Sequence, residues 1–246
     1  MPLPGSEREV VLWGFIGAPN SGKSHQQKIV AEKLGRDRIL VIPDGRDDKM
    51  WNKLTELKSI QGFKLDPRDY RGKRQLPVLH YPTIRSYKGA RVIYNDTPGK
   101  SSDTMKAVLD PVSGYRDGIL ILDDIRNHIP STKEIPAWAN AFLGSRRKLM
   151  VDIMFAGWAM EDVNRQIYAL NPRLFIFNLA APPTLTTLEK NFDRERLLRT
   201  IEFVRDRNAK LPEGQKRFFW PFDPLDPSYY PVPVNGARSD AASSAQ

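Results

Sequence analysis

Cysteine is absent from the chain, and histidine occurs only three times, as His25, His80 and His128. The first absence excludes disulfides and thiolate metal sites, and the scarcity of histidine argues against a histidine-rich zinc site. No stretch approaches the ~18 consecutive apolar residues of a membrane-spanning helix. Residues 1–5 also lack the basic start and apolar run of a secretory signal. We therefore expect a soluble, intracellular protein with no membrane span.

The size of the chain limits how it can be organised. It has 246 residues, of which 40% are hydrophobic. That proportion is enough for a sizeable core, so the chain as a whole is not disordered. The length suits one large α/β domain, or a domain with an insertion and a tail.

Positive charge exceeds negative charge, with a formal net charge of +9. The excess is concentrated between Lys64 and Arg91, where the charged residues are Lys64, Arg68, Arg71, Lys73, Arg74, Arg85, Lys88 and Arg91 against Asp66 and Asp69. Tyrosines at positions 70, 81 and 87 lie among these charges. Basic residues interleaved with aromatic ones are typical of a nucleic-acid surface. The alternative is a solvated basic loop.

One glycine-rich motif indicates a ligand class. It reads G-x-x-x-x-G-K-S and comprises Gly17, Ala18, Pro19, Asn20, Ser21, Gly22, Lys23 and Ser24. The apolar run 10–16 precedes the motif and predicts a strand, and residues 25–34 predict a helix, which is the setting of a nucleotide-binding P-loop. In such a loop the backbone N–H groups and the helix N-terminus surround the phosphates of ATP. The alternative is a glycine turn that binds nothing.

Three side chains at the end of this motif have predicted roles. We expect Lys23 to reach the β- and γ-phosphates and the Ser24 hydroxyl to bind Mg²⁺. His25, the next residue, completes the predicted nucleotide-binding stretch.

Apolar runs alternate with helical patterns along most of the chain. Further strands are predicted at 38–43, 118–122, 149–155 and 174–179, and helices at 50–60, 103–109, 131–142, 160–170 and 185–208. Residues 61–82 are irregular and basic, and 83–94 suggest a hairpin around Lys88 and Gly89. Strands that are apolar throughout and alternate with helices indicate a mostly parallel sheet covered on both faces.

A pair of acids follows the strand at 118–122. Apolar residues followed by Asp123 and Asp124 match the Walker B arrangement, which places carboxylates at the same sheet edge as the P-loop. We expect Asp123 to hold Mg²⁺ and Asp124 to act as general base for the attacking water. The alternative is two surface acids at a strand end. About a hundred residues separate the two motifs, which suits a sheet with another strand between them.

Two later segments indicate a family. Leu122 to Pro130 resembles the L-D-E-A-x-x-x-x-P segment of the FtsK/HerA superfamily, and Ser145 to Ala156 resembles its next block, a basic pair before a strand. The chain is most similar to the genome-packaging ATPases of internal-membrane icosahedral viruses. The zonula-occludens-toxin-like assembly ATPases of filamentous phages are close relatives.

The resemblance implies a RecA-like P-loop NTPase core and a homo-oligomeric ring, often a hexamer. It implies ATP hydrolysis coupled to translocation of double-stranded DNA into a preformed capsid, in the virion or the host cytoplasm, with capsid or membrane vertex proteins as further partners. It also implies an arginine supplied to a neighbour's γ-phosphate, for which Arg146 and Arg147 are the matching positions. Arg126, Arg165 and Arg173 are rivals, and the basic pair could instead end a helix at the surface.

The sequence departs from the family pattern at two places. Asp124 stands where a glutamate is usual, so the side chain is one methylene shorter. After the predicted fourth strand, Gly157 and Trp158 stand where relatives commonly carry a polar, glutamine-like sensor.

The sequence predicts one ATPase domain followed by two shorter C-terminal segments. Residues 1–210 form the ATPase domain with a basic insertion at about 61–95, residues 211–234 form an extended segment rich in aromatics and proline, and 235–246 form a disordered tail.

Three other functions fit part of the pattern: a filamentous-phage assembly ATPase, a small-molecule kinase whose lid is the basic stretch, and a nucleotide-gated DNA-binding scaffold. A phage assembly ATPase usually carries a membrane span, and a kinase passes phosphate to an acceptor rather than to water.

Overall fold

A computed structural model gives the fold of most of the chain. It describes residues 9–43, 45, 49–57, 60–65, 75–80, 84, 87–94, 103–109, 115–132, 134–184, 192–226 and 228, and for 60–65, 75–80, 103 and 104 it describes the backbone only. Within these ranges, no helix is long and apolar enough to cross a bilayer.

An eight-stranded sheet organises the domain. Its strands are β1 (Leu12–Ile16), β2 (Arg38–Ile42), β3 (Thr55–Glu56), β6 (Gly89–Val92), β7 (Gly118–Leu122), β8 (Val151–Gly157), β9 (Arg173–Ile176) and β10 (Trp220–Phe222), while β4 (Ile60–Leu65) and β5 (Gln75–His80) form a separate antiparallel pair. The order across the main sheet is β10-β9-β1-β8-β7-β2-β6-β3. Every neighbouring pair is parallel except β9 and β10. The predicted α/β fold with a mostly parallel sheet is confirmed.

Five α-helices lie among the described residues: α1 (Lys23–Leu34), α2 (Asp103–Leu109), α3 (Ala137–Leu149), α4 (Arg165–Tyr168) and α5 (Arg194–Ala209). Two single turns of 3₁₀-helix, Ile125–Asn127 and Met160–Asp162, follow β7 and β8. Side-chain caps fix two helix starts, because Asn164 accepts a hydrogen bond from the backbone of Gln166 and Asp193 from that of Arg196.

Apolar side chains fill both faces of the sheet. On the central strands, neighbouring residues belong alternately to two separate hydrophobic clusters, as Ile121 and Leu122 do. One cluster takes Val30 and Ala31 from α1, whereas the other takes the apolar residues of α2, α3 and α5. Helices therefore cover both faces, which is why these strands are apolar throughout.

The strand order brings the two predicted motifs to one edge. As expected from the spacing, another strand, β8, lies between β1, which precedes the glycine-rich motif, and β7, which precedes the acid pair. In the parallel register, Gly14 of β1 and Leu122 of β7 both lie beside Phe155 of β8. Because β1, β7 and β8 end at the same edge, the loops that follow them meet there.

Several local predictions were wrong. The expected helix over 50–60 is a turn at 49–54 followed by strand β3 in the described part. The antiparallel hairpin is formed by β4 and β5 within the stretch expected to be irregular, not by residues around Lys88 and Gly89. Instead, residues Gly89–Val92 are strand β6 and pair in parallel with β2.

Other elements begin or end at different residues from those expected. Helix α3 starts at Ala137 rather than near 131, because Pro136 is its N-cap with an extended backbone, ψ 140°, and a proline disfavours helical geometry at the residue before it. It ends at Leu149, where Met150 adopts a left-handed φ of 57°, so β8 starts at Val151. The helix expected over 160–170 is divided by the cap at Asn164. The first residues of the helix expected over 185–208 lie outside the described residues.

The chain returns to the sheet after α5. The Asn208 side chain donates to the Phe218 carbonyl at 2.9 Å and accepts from the Phe218 N–H at 3.1 Å. Strand β10 then pairs with β9, and Phe222 enters the main core with 1% of its surface exposed. The described part of the predicted C-terminal segment thus packs on the domain itself, and the predicted tail at 235–246 lies outside the described residues.

Candidate nucleotide-binding site

The backbone of the glycine-rich motif is held by its neighbours in the sheet. The Gly17 N–H donates to the Gly157 carbonyl at 3.1 Å and the Ala18 N–H to the Asn178 carbonyl at 2.8 Å, so the loop is attached to the ends of β8 and β9. A Cβ atom on Gly17 would lie 2.4 Å from Cβ of Phe177, so only glycine fits. Gly22 has a φ of 96°, which a side chain would disfavour.

Helix α1 begins directly after this turn. No side chain caps its start, and its first turn contains no acidic residue. The N–H groups of the first turn have no partner within the helix and carry its partial positive charge. Ser21 Oγ is buried without a hydrogen-bond partner among the described residues, whereas Pro19, Asn20 and His25 are exposed. This arrangement of donors suits an anion such as a polyphosphate.

The Lys23 ammonium is turned toward the loop. Its Nζ donates to the carbonyl oxygens of Gly17 at 2.7 Å and Ala18 at 2.8 Å. Burial lowers the pKa of Lys23 to about 8, opposed by the carboxylates of Asp123, Asp124 and Asp162 and assisted by the charge of Arg126. Phosphate oxygens placed in the loop would stabilise the charged form of this lysine.

The glycine-rich motif and the acid pair that follows β7 meet through one carboxylate. Ser24 Oγ donates to Asp123 Oδ2 at 3.0 Å, and Trp51 Nε1 donates to the same oxygen at 2.9 Å. The backbone of Asp123 is also fixed, since its N–H donates to the Ile42 carbonyl and its carbonyl lies 2.9 Å from His128 Nε2. Burial lowers the pKa of His128 to about 4, so this ring is neutral and donates to the carbonyl.

These oxygens fit a magnesium ion. Hydroxyl and carboxylate oxygens are the hard ligands that Mg²⁺ prefers, and its remaining positions are usually taken by water and substrate phosphates. Among the described residues, no cluster of three or more His, Cys, Asp or Glu side chains could hold a metal by itself. Ser24 and Asp123 could hold such an ion together with water and the phosphates of a bound nucleotide.

The second acid of the pair is bound to an arginine. Asp124 has a left-handed backbone, with φ 49°, and its side chain is only 4% exposed. Its Oδ1 accepts from Arg126 Nε at 2.9 Å and its Oδ2 from Arg126 Nη2 at 2.6 Å. The predicted general base is therefore held in a two-fold ion pair, which the sequence pattern did not indicate.

The two matching arginines lie at the opposite edge of the sheet. Arg146 and Arg147 are in the last turn of α3, just before β8 begins, whereas the P-loop follows the end of a parallel strand. Arg146 is buried, donates to the Leu143 carbonyl at 2.9 Å, and has its pKa lowered by that burial. Arg147 is exposed. Neither joins the P-loop of its own chain.

The three rival arginines also differ in where they lie relative to the glycine-rich motif. Arg126 lies at the site, paired with Asp124. Arg173 is held at the start of β9, where it donates to Asp223 and Glu9, both at 2.9 Å. Arg165 is exposed at the first position of α4.

Two residues at the site were missed from the sequence. Trp51 lies in a turn after β2. Because β2 pairs with β7, the residues that follow the two strands lie side by side, and Trp51 therefore reaches Asp123. Arg217, in the C-terminal segment, has its aliphatic atoms 3.8–3.9 Å from where a Cβ on Gly22 would lie. The segment that contains Arg217 continues to Phe219, whose ring centroid is 5.0 Å from that of Phe177. No sequence motif marks either residue.

No protein-family model and no curated protein matches the chain. Solved structures share its fold. The genome packaging NTPase B204 from Sulfolobus turreted icosahedral virus 2, in complex with AMPPCP, superimposes with a TM-score of 0.60 at 14% identity, over 87% of this chain and 93% of that one. The ATP-gammaS complex of the same protein gives 0.57 at 15% identity, over 88% and 93%. B204, the DNA-packaging ATPase from Sulfolobus Turreted Icosahedral Virus, gives 0.53 at 16% identity, over 87% and 92%. The resemblance to packaging ATPases indicated by the sequence is confirmed at the level of the fold.

Proposed function

We propose that this protein is an ATP-hydrolysing motor that moves double-stranded DNA, and specifically that it packages a viral genome into a preformed capsid. The observation that carries the proposal is the 3.0 Å hydrogen bond from Ser24 to Asp123, which joins a P-loop to a Walker B carboxylate. The shared fold supports it, because those neighbours are named genome packaging NTPases and were solved with AMP, AMPPCP and ATP-gammaS.

Different residues of the site bind the phosphates and the metal ion. The loop from Gly17 to Ser24 and the start of α1 receive the phosphates, and Lys23 moves from the loop carbonyls to the β- and γ-phosphates. Ser24 and Asp123 would hold Mg²⁺, which would neutralise charge on the phosphate oxygens. Trp51 fixes the orientation of Asp123 by its hydrogen bond.

Hydrolysis transfers the γ-phosphoryl group to water. Asp124 orients the water and takes its proton as the water oxygen bonds to the γ-phosphorus, while the bond from that phosphorus to the β,γ-bridging oxygen breaks and ADP leaves. Asp124 must therefore have a free carboxylate oxygen at that moment. An arginine from a neighbouring subunit stabilises the charge that develops on the transferred group.

The basic stretch supplies the proposed contact with DNA. Between β4 and β5, the sequence contains four basic residues (Arg68, Arg71, Lys73 and Arg74) and two acidic ones (Asp66 and Asp69). Contacts of such residues with phosphates give affinity without sequence specificity. In a ring, hairpins from successive subunits would surround one duplex, which fits a translocating motor.

The experiment that tests the function measures phosphate release from ATP with and without duplex DNA. We expect DNA to raise the rate, and we expect the stimulation to fall steeply between about 50 and 200 mM salt because phosphate contacts are salt-sensitive. Phosphate that appears only on an added acceptor would indicate a kinase. Nucleotide binding without any release would indicate a scaffold, and either result would overturn the motor.

Arg147 is the better placed of the two candidate arginines for action on a neighbour, because Arg146 is buried within its own chain. We expect Arg147→Ala to be nearly inactive alone. Mixed in equal amounts with the Lys23→Ala variant, it should recover about a quarter of the wild-type rate, since a quarter of interfaces then combine an intact P-loop with an intact arginine. We expect Arg146→Ala mainly to lower the melting temperature. No recovery in the mixture would exclude Arg147 as the residue supplied in trans.

A further inference from the structure

The strongest unexplained feature of the site is the pairing of Arg126 with Asp124. Both carboxylate oxygens accept hydrogen bonds from the guanidinium, at 2.9 and 2.6 Å, and the carboxylate is almost fully buried. A two-fold pair of this kind is both strong and geometrically specific. It holds the carboxylate in one orientation, toward Arg126.

The other side of Arg126 is held by the loop that follows β8. Its guanidinium carbon lies 4.0 Å from the ring centroid of Trp158, and its Nε lies 3.8 Å from Asp162 Oδ1. Asp162 also fixes that loop, because its Oδ2 accepts from the N–H groups of Trp158 and Ala159, both at 2.8 Å. Arg126 therefore links the end of β7 to the end of β8, where the family's polar sensor is missing from this sequence.

We infer that Arg126 is a positioning residue that keeps Asp124 away from the attacking water until a bound nucleotide draws the guanidinium off the carboxylate. This inference rests on the proposed function, because it assigns regulation to the same site. The γ-phosphate offers Arg126 the same two-fold geometry that Asp124 offers, with a higher negative charge. Trp158 has 42% of its surface exposed, so its face can support the guanidinium in either position.

The size of the effect follows from the population of the released state. If a bound nucleotide alone releases Asp124 in about a tenth of the molecules and DNA completes the release, the pair lowers the hydrolysis rate without DNA about tenfold. Removing the pair should raise the hydrolysis rate without DNA by about that factor and should reduce the further increase that DNA causes. A residue that merely supported the fold would lower both rates together.

The experiment compares steady-state hydrolysis by wild type, Arg126→Gln and Arg126→Lys, each with and without duplex DNA. We expect Arg126→Gln to raise kcat without DNA by about three- to tenfold, with the KM for ATP changed less than twofold and the stimulation by DNA reduced. Arg126→Lys should lie between the two, because an ammonium cannot occupy both oxygens in the same plane. Arg199→Gln removes an exposed arginine paired with Glu195 on α5 and serves as the matched control.

A second readout does not depend on turnover. Adding AMPPCP with Mg²⁺ and duplex DNA should change tryptophan emission in wild type, and Trp158→Phe should lose most of that change because the guanidinium shifts across the face of the Trp158 ring.

The outcomes separate the inference from the proposed function. A lower or unchanged kcat in Arg126→Gln, beside an active wild type, would overturn the inference alone. Absence of hydrolysis in both proteins would overturn the function and the inference together. Hydrolysis by Arg126→Gln but not by wild type without DNA would support both.

Discussion

Replacing Lys23 with alanine is expected to reduce ATP hydrolysis by at least about 100-fold, the usual cost of removing one preorganised charge from a phosphoryl-transfer site. The same change should weaken nucleotide binding by about tenfold or more, because a charge-assisted hydrogen bond is lost. Phosphate release under saturating ATP measures the first effect, and titration with a fluorescent ATP analogue measures the second.

Lys28→Ala is the matched control for this variant. Lys28 lies on the same helix, is exposed, and pairs only loosely with Glu32 at 3.9 Å. We expect its hydrolysis rate to stay within twofold of wild type. A Lys23→Ala protein that melts normally and hydrolyses ATP as fast as Lys28→Ala would mean that the glycine-rich loop is not the catalytic phosphate site.

The second large effect is expected for Asp124→Asn, which should lower kcat by about 10²- to 10⁴-fold, the range for loss of a general base. Nucleotide affinity should change little, since Lys23, Ser24 and Asp123 remain in place. An amide can still accept a hydrogen bond from water but cannot take its proton, so the change removes the chemistry and keeps the shape. Single-turnover phosphate release and equilibrium binding of ATP distinguish the two effects.

The chain offers a close control for this substitution. Asp117 precedes β7 as Asp124 follows it, and it also has a left-handed backbone, with φ 54°. Asparagine tolerates that conformation as aspartate does, so Asp117→Asn tests the same change at the other end of the strand. We expect Asp117→Asn to keep the wild-type rate; equal losses in both variants would point to folding, and an active Asp124→Asn would assign the base elsewhere.

The sequence was most informative where one physical requirement decides the residues. Strand β7 occupies Gly118–Leu122 as predicted, because a strand buried on both faces must be apolar throughout. That another strand lies between β1 and β7 was also predicted from the motif spacing, and the structure shows that this strand is β8. Ser24 and Asp123 are joined by a hydrogen bond because the two motifs follow strand ends at one edge of the sheet, and the roles of these residues toward a nucleotide stay predictions.

Prediction failed where contacts between residues far apart in the sequence determine the local structure. Residues 50–60 have a helical pattern, but Trp51 is instead buried against the sheet and bonded to Asp123, 72 positions away. That contact outweighs a weak local preference for helix. The pairing of Arg126 with Asp124 was missed for a related reason: it requires the left-handed turn at Asp124, which brings a residue two positions later back over the carboxylate.

The antiparallel strand β10 has a practical consequence for anyone who expresses part of this protein. A fragment that stops at residue 210, the domain end suggested by the sequence, would lack β10 and the Phe222 side chain. It would leave the backbone of β9 unpaired along one side, and unpaired sheet edges are common sites of intermolecular aggregation. It would also lose the backbone of Phe218 as partner for the buried Asn208 amide. A minimal fragment should therefore extend at least through Asp226.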